Sequence, residues 1–327
     1  MTSVNLSPST SFEVTGFSLP PDGVLSQFAV TDKGACDREM AVALAGRAGV
    51  DARIVRAEAR DARVVVEFPA HIVWIAQGAA AAARLRLEDF VLRTLQGRLP
   101  VAIPQPLLAS DGMSLRTRVS GRSGLEFHRA AMSDPALGAA YAVELGTLAA
   151  AIHRALSASE CQALAVAGLP SRLAIDLDDV LRAASTLDRA RARLTFALVD
   201  AHEAQAVMPA DSAFLHGDLG SHNLVFDDEG RISGLFDFDE ASLGDRHYEF
   251  RWLPSFGADF MARALARYRD KTDATIEVER VHRAHALSAM AQLGWGLRAP
   301  DQHHRTGRTL AQTRAWAERT LDAASGA

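Results

Sequence analysis

The stretch HGDLGSHNLVFDDEGRISGLFDFDEASLGD, residues 216–245, sets two histidines, an aspartate and an asparagine into eight positions just ahead of a short apolar run. LVF and ISGLFDF are apolar segments around an acidic turn that Gly230 closes, so the stretch reads as a β-hairpin. Folding it brings Asp218 and Asn223, ahead of the first strand, toward Asp237 at the end of the second, although Asp218 and Asp237 lie 19 residues apart. Hard oxygen donors converging in this way suit Mg2+ bound together with phosphate oxygens. A rival reading takes His216, Asp218 and His222 as H-x-D-x-x-x-H, a metallohydrolase ligand spacing. It wants further histidine ligands, and His247, His303 and His304 stand at no supporting spacing.

Outward from this island, composition narrows the field. The chain has 327 residues, 48% hydrophobic and 23% charged, enough for two modest domains or one domain split into lobes. A net charge of −5 gives no footprint for a nucleic-acid backbone and weakly suits a cationic ligand. Cys36 and Cys161 are the only cysteines, at no metal-ligand spacing. The start MTSVNLSPST lacks the basic and apolar regions of a signal peptide, so the expectation is a reduced, cytoplasmic protein. The long apolar run at 136–156 is interrupted by Glu144, and no membrane span is expected. Of the 35 basic residues only Lys33 and Lys271 are lysines.

Residues 1–11 are polar and expected to be frayed. Strands are expected at FEVTGFSL, QFAVTD, DARIVRAEA, ARVVVEF and HIVWIA, with a short helix at 37–49 between Asp37 and Gly49. A firm helix covers 79–96, where Leu85, Leu87, Phe90, Val91, Leu92 and Leu95 form one apolar face and Gly97 ends it. PLLAS and SLRTRVSG flank Asp111-Gly112, a strong hairpin signal. Beyond Gly121 the chain turns to alanine- and leucine-rich helices at about 137–157, 175–206 and 257 to the end. The expectation is an α+β architecture: a β-rich lobe over 1–120, and over 121–327 a helical lobe with the hairpin inset.

HGDLGSHN followed by GLFDFDEASLGDRHYEF resembles the catalytic loop and metal segment of the aminoglycoside phosphotransferase and choline kinase family, whose members share the bilobal protein-kinase-like fold. LGTLAAAIHRAL at 145–156 and ARLRLEDFVLRTLQGRLPVAIPQPL at 83–107 extend the likeness over roughly 55–255. Within the family the wording is nearest to the viomycin and capreomycin phosphotransferase branch. The resemblance implies transfer of the γ-phosphate of ATP or GTP, with Mg2+, to a hydroxyl of a small molecule such as an aminoglycoside or peptide antibiotic, by a monomer or homodimer with no nucleic-acid or membrane partner. Carried over, Asp218 is the catalytic base for the acceptor hydroxyl, Asn223 and Asp237 hold the metal, and His216 and Asp245 give structural support. Asp239 is a weaker candidate, either an acid behind the metal ligands or one facing the acceptor. Glu88, Thr117 and Val119 fall to the nucleotide.

The chain departs from that pattern in the third strand of the first lobe. The family places a lysine or arginine there, paired with a helix glutamate, to hold the α- and β-phosphates; here the position falls on Trp74. Three explanations stand: an arginine such as Arg60, Arg63 or Arg84 supplies the charge, the nucleotide is held differently, or the protein is a catalytically silent nucleotide- or ligand-binding protein on the same fold. The phosphate-covering turn RAEARDARVVV also lacks glycine, so a backbone N–H cradle is less marked than usual. Asp270, Asp273, Glu277 and Glu279 could line a cationic acceptor pocket, but a solvated helix start explains them better.

Overall fold

The computed structural model describes residues 32–60, 62–171, 175–205, 207–300 and 307–325. The strand expected at 12–19 lies outside them, as does all but the last residue of the one expected at 27–32. Helix α1, Asp32–Arg47, precedes strands β1, Arg56–Arg60, β2, Arg63–Glu67, and β3, His71–Ala76; helix α2, Ala79–Leu95, leads to β4, Pro106–Ser110, and β5, Met113–Thr117. These strands make one antiparallel sheet in the order β1-β2-β3-β5-β4. Its register sets Trp74 opposite Val65 on one side and Ser114 on the other. One face packs on α1 through Leu44, Val66, Phe68, Val73 and Leu115, the alternation that Val and Ile at every second position dictate. Helix α2 packs against β3 and β5.

The second lobe begins with β6, Arg122–Ser123, and helices α3, Gly124–Ser133, and α4, Pro135–His153. Asp134 caps α4 by accepting from the amides of Ala136 and Leu137, with Pro135 in the first turn, where its missing N–H costs nothing. Helix α5, Ala158–Val166, starts on a Ser157–Glu160 capping box. The single helix expected at 175–206 is two, α6, Leu177–Ala184, and α7, Arg189–Ala204. The break follows from Asp188, whose carboxylate accepts from the amides of Ala190 and Arg191 and so starts a new helix. Strands β7, Ser212–Leu215, β8, Leu224–Phe226, β9, Ile232–Leu235, and β10, Ser242–Asp245, form the expected island. Helices α8, Ala258–Thr272, α9, Val278–Arg298, and α10, Leu310–Ser325, complete the lobe.

Helix α4 is apolar on most sides because it runs through the core. It packs on α8 so closely that a side chain at Gly146 would meet the Ala264 carbonyl at 2.3 Å. The helical lobe's main core gathers Tyr141, Leu145, Leu148, Phe226, Phe238, Phe250 and Tyr268 and continues onto Val91, Leu92 and Leu95 of α2, so one apolar body spans both lobes. The connector after α2 docks on the hairpin: Ala102 N donates to Ser233 O at 2.9 Å, and Leu235 N donates to Ala102 O at 2.9 Å. The hairpin is thereby held at the junction of sheet and helices.

Candidate functional site

Strand β7 pairs with β10, Leu215 opposite Ser242, so residues 216–241 form a closed excursion containing the hairpin. The excursion starts on a turn that only glycine fits: Gly217 has φ +85°, and a Cβ there would stand 2.2 Å from Glu240 O. The turn is gripped from below by Glu249, whose Oε2 accepts from His216 N at 2.8 Å and whose Oε1 accepts from Gly217 N at 3.1 Å. His216 is fully buried. Its Nδ1 accepts from Asp218 N at 3.2 Å, which leaves Nε2–H to donate to Phe236 O at 3.0 Å. Burial keeps this ring neutral, against the pull of Glu249 and Asp218, so His216 ties the start of the loop to the end of β9.

Four donors converge on the Asp218 carboxylate. Oδ1 accepts from Trp252 Nε1 at 2.7 Å and lies 3.4 Å from Arg251 Nη2; Oδ2 accepts from His222 Nε2 at 2.7 Å and from Asn223 Nδ2 at 2.8 Å. Burial works against the charge on Asp218, but His222, the bond they share and Arg251 outweigh it and hold the carboxyl far below the ordinary range. Asn223 Nδ2 also reaches Asp218 O at 2.9 Å, which leaves the amide's Oδ1 as an acceptor. Phe236 N donates to Asn223 O at 3.1 Å, and the next residue is Asp237, in the left-handed region at φ +66°. The hairpin thus delivers Asp237 to the side of Asp218 and Asn223. Burial raises the Asp237 carboxyl well above the carboxylate range, and Asp239, Glu88 and Asp218 raise it further, with Arg63 opposing them.

The opposite wall is the sheet lobe. Glu88 on α2 is buried and receives two arginines: Arg116 of β5, with Nη1 to Oε1 at 2.6 Å, and Arg63 of β2, with Nη1 to Oε2 at 3.2 Å. Burial opposes the charge on Glu88, and the two guanidiniums overcome it, Arg116 more strongly. Arg116 Nε also holds Asp89 at 2.8 Å. Trp74 lies beneath both cations, 5.5 Å from the Arg63 guanidinium carbon and 6.0 Å from that of Arg116. Arg63 Nη2 is buried without a hydrogen-bond partner and stands 3.6 Å from Asp239 Oδ2. One arginine therefore reaches from the sheet to the segment that carries Asp237. Thr117 has its amide on Gln105 O at 3.0 Å and its hydroxyl on Gln105 N at 2.9 Å. Val119, two residues on, makes no backbone–backbone hydrogen bond among the described residues and packs against Gly234.

Among the described residues no three His, Cys, Asp or Glu side chains are grouped to hold a metal ion by themselves. The donors present, one asparagine oxygen and one carboxylate in an acidic cluster, fit a hard divalent cation whose remaining ligands come from phosphate. A family model described as the phosphotransferase enzyme family matches residues 44–284. The chain belongs to that family. The phosphotransferase fold also recurs in solved structures. Macrolide 2'-phosphotransferase MphH from Brachybacterium faecium superposes with a TM-score of 0.60 and 21% identity, over 87% of this chain and 98% of that one. The GDP complex of aminoglycoside 2'-phosphotransferase-IIIa gives 0.62 and 18%, over 89% and 99%. The streptomycin–ATP–APH(2")-IIa ternary complex gives 0.56 and 16%, over 80% and 94%. No curated protein matches the sequence at a significant level.

Several residues of this candidate site carry no local signal in the sequence. Arg116 and Glu249 are buried by tertiary packing, and only sheet register and helix placement reveal them. Arg251 and Trp252 come just after the turn of 3-10 helix at Arg246–Phe250 that follows β10, and their approach to Asp218 depends on that turn. Asp245 supports that turn rather than the loop itself. It caps the turn, accepts from His247 N at 3.1 Å and pairs with Arg280, while Glu249 grips the loop. Of the other cations weighed for the strand position, Arg60 turns to Glu58 of its own strand at 3.3 Å, and Arg84 is exposed on α2. Asp270 and Asp273 are exposed, Glu277 pairs with Arg280 at 3.3 Å and Glu279 with Arg283 at 3.5 Å, as solvated helix ends do. Cys36 and Cys161 are free.

Proposed function

We propose that the protein transfers the γ-phosphate of ATP or GTP to a hydroxyl of a small molecule in the cytoplasm, with Asp218 facing the acceptor. The observation that carries this reading is the convergence of Asp218, Asn223 and Asp237 on one hairpin edge, facing Glu88 and Arg63 from the sheet lobe. Asp218, its carboxyl held below the ordinary range by His222 and Arg251, orients the hydroxyl and takes its proton as the oxygen meets phosphorus. Asn223 Oδ1 and Asp237 would hold Mg2+, which in such a site neutralises charge on the β- and γ-phosphates. Arg63 supplies the cation missing at Trp74. It is anchored by Glu88, its Nη2 makes no hydrogen bond, and a guanidinium suits phosphate oxygens geometrically. The base of the nucleotide belongs against Val119, whose backbone is the freer of the two residues expected there. Little covalent help from the protein is required, since positioning and charge neutralisation supply most of the barrier reduction.

For the acceptor we favour an antibiotic-like polyol, in keeping with the aminoglycosides and macrolides named for the structural relatives and with the motif wording of the viomycin and capreomycin branch; the activity would then confer resistance. The test is transfer of labelled γ-phosphate from ATP and from GTP to a panel of aminoglycosides, macrolides and tuberactinomycin-type peptides. Transfer that vanishes in Asp218→Asn supports the reading. Absence of any labelled product, with nucleotide turnover indifferent to Asp218→Asn, defeats it.

A further inference from the structure

His222, a residue of the HGDLGSHN turn that the proposed chemistry leaves unused, sits on the group that chemistry needs. A carboxylate offers about four lone-pair sites, and at Asp218 all four are covered, by Trp252, Arg251, His222 and Asn223. An acceptor hydroxyl can donate to Asp218 only if one of these leaves. Asn223 is buried and bonded a second time to Asp218 O at 2.9 Å. Arg251 is buried and fixed to Glu240 Oε2 at 2.6 Å. Trp252 is wedged beside His285 and Trp316, with ring centroids 6.2 and 6.5 Å away. His222 alone has a side chain that is 44% exposed, and its bond to Asp218 is its single hydrogen bond among the described residues.

The ring is seated directly on the Gly220 backbone. A Cβ on Gly220 would fall 2.5 Å from His222 Cε1 and 2.7 Å from Nδ1, so the imidazole lies over bare backbone, edge-on to Trp252. We propose that His222 is a plug on Asp218: it occupies the solvent-facing lone pair in the resting enzyme, keeps water from that position, and swings out when an acceptor hydroxyl takes its place. In the productive step the acceptor O–H bond breaks, its proton passes to Asp218, the oxygen bonds to the γ-phosphorus and the nucleoside diphosphate leaves. With the plug removed, water follows the same course: its proton goes to Asp218, its oxygen bonds to phosphorus and the products are inorganic phosphate and the nucleoside diphosphate. His222 acts through Asp218, as a positioning residue, and this inference rests on the phosphotransferase reading above.

The test needs no acceptor at first: ATP and GTP hydrolysis in water, with Mg2+, by the full-length protein and its variants. His222→Ala is expected to raise acceptor-free hydrolysis about two- to fivefold, the range for losing one partly exposed ionic hydrogen bond. Gly220→Ala, which keeps the imidazole but takes its seat, is expected to raise it in the same direction. Asp218→Asn combined with His222→Ala abolishes the rise. With the acceptor found in the labelled-phosphate panel, His222→Ala lowers KM while kcat stays within about twofold. Unchanged or lower hydrolysis in both single variants, or a fall in kcat with KM untouched, overturns the plug and makes His222 a plain support of the loop. If wild-type transfer depends on Asp218 while these outcomes fail, only the plug is lost. Turnover indifferent to Asp218 overturns both readings.

Discussion

Arg63 Nη1 lies 3.2 Å from Glu88 Oε2, joining the second strand of the sheet to helix α2 across a buried space that Arg116 also enters. Glu88 keeps Arg116 if Arg63 is lost, so the protein should survive the change. The expected result for Arg63→Gln is a fall in stability of about 1–3 kcal/mol, well under the cost of stranding Glu88 alone. The larger effect should be on nucleotide: KM for ATP or GTP rising at least tenfold, while Arg63→Lys recovers part of the loss. Steady-state kinetics on the three proteins, with thermal melts as control, checks it. Wild-type nucleotide KM in Arg63→Gln would move the phosphates elsewhere.

That pair also marks where the sequence stops being legible. The motif residues Asp218, Asn223 and Asp237 are readable because a hairpin is local, and its turn chemistry and apolar pattern place them without knowledge of the rest. The cation is not local. Trp74 pairs with Val65 and with Ser114, so the residues two positions along each neighbour, Arg63 and Arg116, share its face of the sheet. A strand position that lacks a cation in one dimension is bracketed by two in three dimensions. The same limit explains the helix expected at 175–206. Its periodicity runs through the break, and only the capping geometry of Asp188 shows where one helix ends and the next begins.

Glu249 holds the turn under Asp218 with both oxygens, and a glutamine cannot, since one of the two amides would then face an NH2 group. Glu249→Gln should lower stability by about 2–4 kcal/mol and reduce kcat more than it changes nucleotide KM. Burial opposes the Glu249 charge, but His153, whose Nε2 stands 3.4 Å from Oε2, together with His216 holds its carboxyl below the ordinary range. A depressed folded value means that the stabilisation is present above the unfolded value, about 4.3, and is lost as pH falls through the folded one. The stability gap between wild type and Glu249→Gln should therefore narrow in acid, below about pH 4; urea melts at several pH values measure it.

Asp237 carries the opposite sign. Burial together with Asp239, Glu88 and Asp218 raises its carboxyl, so its ionised form costs folding free energy once pH exceeds the unfolded value of about 3.9. Asparagine keeps the shape, tolerates the positive φ and removes the charge. Asp237→Asn should raise the melting temperature of the nucleotide-free protein by about 2–5 °C at pH 7, with the gain shrinking toward pH 4, and should abolish phosphate transfer. Scanning calorimetry and the labelled-phosphate assay separate the two effects. A variant that melts lower than wild type would show that the acidic cluster is compensated in the resting protein.

Gly217 tests the turn itself. With φ at +85° and the Glu240 carbonyl 2.2 Å from any added Cβ, alanine adds both backbone strain and a collision with main chain that cannot rotate away, about 2–4 kcal/mol together. The turn can relieve this only by shifting, which pulls the His216 and Gly217 amides off Glu249 and moves Asp218 relative to Asn223 and Asp237. A displacement on the order of 1 Å at a reacting group can cost about a hundredfold in rate. Gly217→Ala should therefore lose at least that much kcat while the sheet lobe keeps its affinity for nucleotide. Titration of a fluorescent nucleotide beside the transfer assay checks both halves. Loss of nucleotide binding in step with kcat would mean instead that the turn and the sheet lobe fold as one unit, through the shared core of Val91, Leu95 and Phe238.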